Sequence, residues 1–520
     1  MDIFSIIILI LKWITLTAVS FCMYLVWIFV VNPWNQQRKY RKYKNVYVPE
    51  RLNAPSGDLI EMEEKVANGK FRFQYLTDFD PTKYDIRLGH LGPHTHFQLI
   101  SHRAHEEVNK LIPAVVDRHT AKFGVQFGPL IKDTLGLKRS TKMFKNKRQV
   151  FLKILGFNYS SKYISTMINV VKEKIATWQE GQEVNALLEM GNVALRIIVQ
   201  ITFGKDADSK MPKLSYINPD GSKSLMNFYE FFPKLMADLL KAEFYPLNVV
   251  FPFLFLNGWL YPNNINKKNM LELRSKMSSF MDTIEDKDSV YKQLVDNHKF
   301  KKEDIFDDII GLVHAAHQTS HHTVCTVLFN IKKHPQWLEK IQKELEDAGL
   351  TTGCDIEAKL TRDVIHESAN LACVVKEALR FDPAGNLSLA YKAYKDTKIC
   401  GVPIPKGSKL MVSVSSTHYN KEQFPDPYKF KPERFDPQSD CFYIGGSKGK
   451  ARHPLSYIPF SFSERKCPGM IFALMEVKTI ICYFLQRVEY SIDPNLLKDD
   501  KVRYGIFTNF QLGLKIEKIK

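Results

Sequence analysis

The chain has 520 residues, of which 45% are hydrophobic, so it can bury a full core. Its 73 lysines and arginines outnumber its 56 aspartates and glutamates, and the net charge of +17 favours an acidic partner or an anionic lipid surface. Nucleic acid is not favoured, because no basic cluster accompanies a recognition motif. The eight cysteines form no CxxC pair, which argues against a zinc ribbon or a disulfide framework and fits a reducing compartment.

The amino terminus carries a long apolar segment. From Trp13 to Val31 there are 19 uncharged residues, which is long enough to cross a bilayer. The positive-inside rule places the rest of the protein in the cytosol, because a basic cluster follows the segment: Arg38, Lys39, Arg41, Lys42 and Lys44. A cleaved signal peptide is the alternative, with Ala18 and Ser20 before the cut. The leading end lacks a basic region, however, and we therefore predict an uncleaved single-pass anchor.

Beyond the anchor, the pattern predicts a mainly α-helical fold with a minor β part. Residues 83–101 indicate two strands around a Gly-Pro turn, and Ser101 is expected to cap the helix that follows. Helical periodicity then dominates until about residue 380, and strand-like runs return at 397–405 and 408–416. No internal repeat or low-complexity linker divides this part of the chain.

Residues 460–469 read FSFSERKCPG and place one cysteine in a short loop. A cysteine in such a loop is typical of a protein that holds haem iron by a thiolate, here Cys467, and this ligand pushes electron density onto the iron. In that interpretation Arg465 pairs with a haem propionate and Phe460 covers the sulfur side of the ring. Gly469 lets the backbone turn into the next helix. The alternative is that Cys467 is an ordinary buried cysteine.

These residues resemble the cytochrome P-450 family, whose signature is FxxGxRxCxG. The sequence departs at Ser463, which stands for the family's glycine and carries a strain cost if the position needs a positive φ. The resemblance extends from about residue 80 to the carboxyl end. It implies the family's mainly α fold with a minor β part, preceded by one transmembrane helix. We therefore expect an anchor at 1–32, a basic linker leading into the catalytic domain at 33–79, and a haem-thiolate domain at 80–520.

Further motifs follow the family's order. Glu377 and Arg380 are three apart on a helix, where one carboxylate can pair with one guanidinium. Arg434 lies in the later PERF segment, and the resemblance implies that the three form a buried charge network behind the cysteine loop. After the cysteine, Ala473 and Glu476 match the family's small and acidic positions on a helix. The amino end of that helix is expected to stabilise the thiolate.

A long apolar helix with polar residues at its middle is predicted over 307–329. Ala315, Ala316 and Thr319 share one face, so two small residues would leave space for oxygen against the haem while a hydroxyl points into it. The family pattern is (A/G)Gx(D/E)T, and this chain reads AAHQT. Gln318 thus replaces the acid, and its amide cannot relay a proton by ionising. Thr319 and Gln318 are the candidate catalytic residues.

How protons reach this helix is left open by the sequence. Gln318 can order a chain of waters, and His317 or Ser320 can share the task. Four histidines at 314, 317, 321 and 322 also raise the alternative of a separate metal site. Histidines on a helix that crosses a core, with no carboxylate or cysteine nearby, more often form hydrogen bonds.

Upstream, residues 143–156 resemble the family's WxxxR helix, with Phe144 in the tryptophan position. Arg148 is then expected to neutralise the second propionate, with Lys147 either beside it or on a solvated helix face. Tyr391 stands for a further arginine of the family. One propionate contact is therefore expected to be weaker or to come from Lys392.

Residues 228–261 are crowded with aromatic side chains and are nearly free of charge at their centre. Pro246 and Pro252 exclude a second membrane span. In the resembling family this position holds the loop between two helices that roof the substrate channel. The segment is predicted either to dip into the membrane interface or to pack in the core.

Together the resemblance implies a haem-thiolate monooxygenase that inserts one atom of O2 into an apolar small molecule. The cofactor would be haem b, and electrons would come from NADPH through a separate NADPH-cytochrome P-450 reductase, since no GxGxxG loop is present. The expected location is the endoplasmic reticulum membrane, with the catalytic domain in the cytosol. Two alternatives remain: a P-450-fold hydroperoxide isomerase or dehydratase, and a non-catalytic haem-binding protein.

Overall fold

A computed structural model describes residues 3–68, 72–119, 128–131, 134–243, 245, 247–248, 251–351, 353–446, 449–497 and 512–520. Its longer helices are α1 (Ile3–Val26), α2 (Asn32–Tyr40), α3 (Asp58–Ala67), α4 (His102–Leu111), α5 (Lys142–Ile154), α6 (Ile164–Ile175), α7 (Ala186–Phe203), α8 (Phe228–Glu243), α9 (Asn263–Met281), α10 (Lys302–Lys333), α11 (Pro335–Asp347), α12 (Ala369–Phe381) and α13 (Met470–Arg487). Short helices span Phe157–Ser160, Ala207–Lys210, Pro252–Asn257, Val290–Lys292, Ile356–Lys359, Arg362–Glu367, Val414–His418 and Pro494–Leu497.

The strands are β1 (Val46–Tyr47), β2 (Ile86–Leu91), β3 (His94–Leu99), β4 (Val116–Arg118), β5 (Glu183–Asn185), β6 (Leu214–Ile217), β7 (Lys223–Met226), β8 (Tyr391–Ala393), β9 (Thr397–Ile399), β10 (Val402–Ile404), β11 (Lys409–Val412), β12 (Val488–Ser491) and β13 (Gly513–Ile519). The largest sheet has the order β1-β2-β3-β11-β8-β4. Smaller sheets pair β10 with β9, β6 with β7, and β12-β13-β5. The mainly α fold with a minor β part is therefore confirmed.

The local predictions in the first sheet hold in the structure. Strands β2 and β3 form the antiparallel hairpin expected around Gly92. The Ser101 side chain accepts a hydrogen bond from the Ala104 backbone N–H at 3.1 Å, which caps α4 as predicted. The β6–β7 hairpin was not anticipated, because it lies inside a stretch where helical periodicity dominates.

The anchor helix continues into the catalytic part of the chain. Helix α1 runs through one π-helical turn, Trp27–Val31, directly into α2. The side chains described for α1 are mostly exposed, whereas Tyr40 at the end of α2 is fully buried and donates to the Pro403 carbonyl at 3.0 Å. The helix thus passes the predicted boundary at residue 32 without a break. Its end contacts β10 through Pro403 and the first sheet through Phe97 of β3, whose ring centre lies 5.1 Å from that of Tyr40.

Two of the described helices are long and apolar enough to cross a membrane, Ile6–Tyr40 and Ala186–Phe203. The second is α7, and 67% of it is buried inside the protein. It packs along α10 in the main hydrophobic core. The amino-terminal helix, with its exposed apolar side chains, is therefore the one that fits the predicted anchor.

The aromatic-rich segment lies between α8 and α9. Leu254 and Phe255 are buried in the short helix Pro252–Asn257, but Phe253 on the same helix is 55% exposed. Trp259 is 64% exposed and Tyr261 59% exposed. One side of the segment therefore packs in the core, while the other presents an aromatic surface, which favours the interface interpretation. Pro246 lies outside the described residues, whereas Pro252 begins the short helix.

Candidate active site

The cysteine loop is closed by its own backbone. The Cys467 N–H donates to the Phe460 carbonyl at 2.8 Å, and a 3-10 turn, Ser463–Arg465, lies between them. Ser463 has φ of 59° and Ser461 has φ of 61°. The position at which the family has glycine thus does adopt a positive φ, and serine occupies it at a cost in strain.

The Cys467 side chain is exposed, yet burial raises the pKa of its thiol. The backbone N–H of Gly469 and the charge of Arg148 act in the opposite direction and lower that pKa. The Cys467 side chain is thus accessible to a ligand even though protein atoms fill much of the space around it.

Gly469 immediately precedes α13 and has φ of −90°, which any residue can adopt. A Cβ at this position would lie 3.9 Å from the Cys467 sulfur, an ordinary contact distance. The backbone conformation therefore does not require glycine. What the structure does show is that α13 begins beside the sulfur, as the predicted thiolate stabilisation requires.

Arg465 is buried with spare hydrogen-bonding capacity. Its Nη2 binds the carboxylate of Asp117 and lies 2.8 Å from the Ser140 hydroxyl, and its guanidinium lies 4.1 Å from the centre of the Phe144 ring. Its Nε and Nη1 are buried without a hydrogen-bond partner in the described part of the chain. Buried donors of this kind are costly unless an acceptor pairs with them, and a carboxylate is the strongest such acceptor.

Arg148 lies on the other side of the loop. Its Nη2 donates to the Lys466 carbonyl at 2.6 Å, and its charge acts on Cys467. Lys147 behaves differently: it is fully buried, and its Nζ lies 2.7 Å from Asp308 of α10. Lys147 therefore ties α5 to α10, and the expectation of a solvated helix face at this residue is wrong.

A third arginine was missed by sequence reasoning. Arg118 of β4 is buried over the ring of Tyr391, with its Cζ 4.2 Å from the ring centre, and its Nη1 donates to the Leu389 carbonyl at 2.6 Å. Its Nε is buried and unpartnered among the residues described. Because β4 pairs with β8 in a register that sets Arg118 opposite Tyr391, the cation lies beside the position at which the family's arginine is absent.

The three guanidiniums form one electrostatic group, because the positive charge of Arg465 contributes to lowering the pKa of both Arg118 and Arg148. Asp117 is the carboxylate bound to Arg465, which leaves the group with an excess of positive charge in a buried setting. Unbalanced buried charge is strongly unfavourable. A ligand with two carboxylates would balance it, so these residues fit the propionates of haem.

The predicted oxygen-binding residues lie on α10. Most of this helix is buried, yet Ala315 is exposed, and Ala316 and Thr319 are partly buried. The Thr319 hydroxyl donates to the Ala315 carbonyl at 2.8 Å, and Gln318 is partly buried on the same turn. Helix α10 thus presents its two small residues and its threonine on an accessible strip, and their place beside a haem stays a prediction.

The four histidines of α10 are not arranged as a group of metal ligands in the part of the chain that the structure describes. Among the described residues, no group of three or more His, Cys, Asp and Glu side chains is arranged to hold a metal ion. His321 bonds the His317 carbonyl at 2.7 Å, and His322 bonds the Asp382 carbonyl at 3.0 Å. The prediction that these histidines form hydrogen bonds is confirmed for this pair.

Behind the cysteine loop, the predicted charge network is present. Arg380 contacts both carboxylate oxygens of Glu377, at 2.7 and 2.8 Å, and Arg434 lies 3.4 Å from the same carboxylate. All three are buried. Arg452, which the sequence did not single out, extends the network by donating to the Arg434 carbonyl at 2.8 Å.

A helical fold in which a cysteine loop lies at the amino end of a core helix, beside buried arginines, is the arrangement of a haem-thiolate protein. The family model for cytochrome P450 matches residues 59–513. The chain therefore belongs to the cytochrome P450 family.

Individual relatives are more distant. Cytochrome P450 3A28 of Bos taurus is 28% identical over 342 residues, covering 64% of this chain and 62% of that protein. The (1S)-1-hydroxy-luvungin A synthase CYP88A37 of Citrus sinensis is 27% identical over 332 residues, covering 62% of this chain and 61% of that protein. Cytochrome P450 4V2 of Rattus norvegicus is 30% identical over 205 residues, covering 39% of this chain and 36% of that protein. The matches thus span less than two thirds of these relatives' length.

Proposed function

We propose that the protein is a membrane-anchored haem-thiolate monooxygenase that acts on an apolar small molecule. The observation that carries the proposal is the environment of Cys467, an exposed thiol whose pKa is nevertheless raised by burial, beside buried arginines with unused donors. Bound at this thiolate, haem b would supply the oxygen-activating chemistry. Residues 80–520 would form the catalytic domain in the cytosol, with residues 1–32 in the endoplasmic reticulum membrane.

Each site residue has a role in this proposal. Cys467 is the iron ligand, Phe460 and Gly469 shape its loop, and Arg465 and Arg148 hold the propionates, with Arg118 as an additional anchor. On α10, Ala315 and Ala316 would leave room for O2 once haem is bound. A hydroxyl that is hydrogen-bonded to its own helix can exchange that bond for one to a ligand, so the Thr319 hydroxyl could leave the Ala315 carbonyl and donate into that space.

Gln318 orients water next to Thr319 in this scheme and does not itself ionise. The two electrons would come from NADPH through NADPH-cytochrome P450 reductase. The net charge of +17 supports docking to an acidic flavoprotein surface. The exposed aromatic side chains at Phe253 and Trp259 support delivery of a lipid-soluble substrate from the membrane.

The ligand assignment can be tested by spectroscopy on the purified holoprotein. Carbon monoxide bound to the reduced wild type should give the strongly red-shifted Soret band of a thiolate-ligated haem. Cys467→His should move the band to the imidazole position, whereas Cys441→Ser, at another exposed cysteine, should leave it unchanged. An unchanged band in Cys467→His would show that another residue binds the iron.

Reductase dependence separates the activity from its main alternative. A monooxygenase forms product only with NADPH, O2 and the reductase, whereas a hydroperoxide isomerase turns over a lipid hydroperoxide without them. A panel of a fatty acid, a sterol and a xenobiotic would identify the substrate class by binding spectra. Turnover of the hydroperoxide alone would favour the isomerase, and no turnover with any oxidant would favour a binding protein.

A further inference from the structure

Asp117 of β4 is a buried carboxylate in contact with the arginines of the site. One of its oxygens accepts hydrogen bonds from Arg465 and from the Arg118 backbone N–H, the latter at 2.8 Å. The other oxygen accepts from the Ser140 backbone N–H at 2.7 Å and lies 3.9 Å from Arg139. The residue is only 2% exposed. Asp117 thus joins β4, the segment before α5 and the cysteine loop.

The negative charge of Asp117 acts on the cations around it. A carboxylate that pairs with a guanidinium is ionised with it, since arginine stays protonated in proteins. Burial lowers the pKa of Arg118, and the charge of Asp117 acts against that effect. The same carboxylate forms the ion pair with Arg465. Asp117 therefore offsets positive charge at the place where the guanidiniums meet.

The charges of this set of residues can be counted. Arg118, Arg148 and Arg465 contribute three positive charges and Asp117 contributes one negative charge, so two positive charges are left over. A ferric haem bound by a thiolate has no net charge at its centre, because the porphyrin and the sulfur together match the charge of the iron. Only the two propionates of such a haem remain to be balanced. They match the two positive charges that Asp117 leaves over.

The nearby charged side chains that the structure describes are either exposed or paired. Arg139 approaches Asp117, but its side chain is 51% exposed, so water screens its charge. Lys466 of the cysteine loop is exposed as well. Lys145 forms an ion pair with Glu464 at 3.1 Å, and this pair is neutral as a whole. The balance thus depends on the three arginines and Asp117.

We propose that Asp117 is a positioning residue that sets the reduction potential of the haem iron. Its hydrogen bonds hold Arg465 in place, and its charge cancels that of one guanidinium. Reduction of the iron adds an electron, so an extra positive charge nearby favours the reduced state and raises the potential. Asp117 therefore holds the potential below the value that the arginines alone would give. This inference rests on the proposed haem-thiolate function.

Redox titration of the purified holoprotein measures this potential. Asp117→Asn leaves one positive charge unbalanced, so the potential should become more positive by about a tenfold change in the reduction equilibrium, or about 59 mV for one electron. Arg118→Gln removes one positive charge and should make the potential more negative by a similar amount. Wild-type potentials in both variants would overturn the proposal.

The double variant separates charge from structure. Asp117→Asn combined with Arg118→Gln again leaves two positive charges, so its potential should return to the wild-type value. A purely structural role for Asp117 predicts the opposite, because the double variant then lacks two buried partners instead of one. If Asp117→Asn alone fails to retain haem, the double variant should still retain it. Loss of haem from the double variant, or a potential that stays at that of Asp117→Asn, would overturn the proposal.

Asp85→Asn is the matched control in the same sheet region. Asp85 is 5% exposed and accepts hydrogen bonds from the Ser101 hydroxyl at 2.7 Å and from Arg103 at 2.9 Å. These partners contact neither the three arginines nor the cysteine loop through any hydrogen bond of the described chain. The potential of Asp85→Asn should therefore equal that of the wild type. A shift as large as in Asp117→Asn would show that removing any buried aspartate has this effect, and would overturn the assignment.

The carbon monoxide spectrum keeps the inference distinct from the proposed function. If the reduced wild type lacks the red-shifted Soret band of a thiolate-ligated haem, the proposed function fails and the inference fails with it. If the wild type shows that band and the potential does not respond to the charge at residue 117, only the inference fails, and the proposed function stands.

Discussion

Ser463 holds a backbone conformation that L-residues avoid, in the loop that carries the iron ligand. Its φ of 59° lies in the left-handed region, and its side chain is exposed. Such a conformation costs an L-residue about 1–2 kcal/mol, whereas glycine pays about 0.5–1 kcal/mol of extra chain entropy on folding. The strain slightly exceeds the entropy, so the loop is less stable with serine than with glycine.

We therefore predict that Ser463→Gly stabilises the protein by about 0.5–1 kcal/mol. The midpoint of urea unfolding of the holoprotein would measure the effect, together with the rate of haem loss to a scavenging apoglobin. Ser463→Ala is the matched control, because it removes the hydroxyl but keeps the Cβ that causes the strain. Equal stabilisation by both variants would show that the hydroxyl, and not the backbone, is the source.

At the scale of single residues, the sequence was informative where a motif fixed the neighbours. The family's glycine raised the question of a positive φ at Ser463, and helical spacing predicted that Ala315 and Thr319 share one face. Arg118 and Lys147 could not be assigned in this way. The partner of Arg118, Tyr391, lies 273 residues away across a strand pair, and the partner of Lys147, Asp308, lies 161 residues away on another helix.

Among the elements, α5 and α10 are joined by a buried ion pair. Lys147 and Asp308 are both fully buried and lie 2.7 Å apart, and Asp308 also accepts a hydrogen bond from the Leu135 backbone N–H at 2.6 Å. A pair of this kind adds little net stability when intact. Removing one partner leaves the other charged and unpaired in the core.

Lys147→Met is therefore expected to destabilise the protein by about 3–5 kcal/mol, and the double variant with Asp308→Asn should recover most of that loss. Urea unfolding of the single and double variants measures both. Lys145→Met is the matched control on the same helix, because its ion pair with Glu464 is half-exposed and is worth at most about 1 kcal/mol. A loss of similar size in both single variants would contradict the argument.

Local signals decided which elements could be predicted. The β2–β3 hairpin and the Ser101 cap depend on neighbours within a few residues, and both are confirmed. The β6–β7 hairpin had a local signal too, an Asn-Pro-Asp-Gly turn at 218–221, but the surrounding helical pattern masked it. The pairing of β4 with β8 had none, because strands so far apart in the chain pair only once the fold is formed.

At the scale of the whole molecule, the anchor helix and the aromatic surface between α8 and α9 lie side by side. The anchor helix reaches the catalytic part without a break, and Phe29 near its end packs against Phe251, with ring centres 6.1 Å apart. Phe251 begins the aromatic surface that includes Phe253 and Trp259. The anchor and this surface are thus neighbours, and both can contact one lipid bilayer at the same time.

Because the aromatic surface lies beside the anchor, removing residues 1–31 should weaken binding to anionic lipid vesicles without abolishing it. Adding Phe253→Glu and Trp259→Glu to the truncated protein should then lower the bound fraction at least about tenfold, since burying one such side chain contributes about 1.5–3 kcal/mol. Tyr428→Glu is the matched control, at an aromatic residue that is 51% exposed and lies elsewhere in the chain. Cosedimentation with vesicles measures all four proteins. If the truncated protein stays in solution without the two substitutions, the aromatic surface does not bind lipid, and the long helix alone carries the attachment.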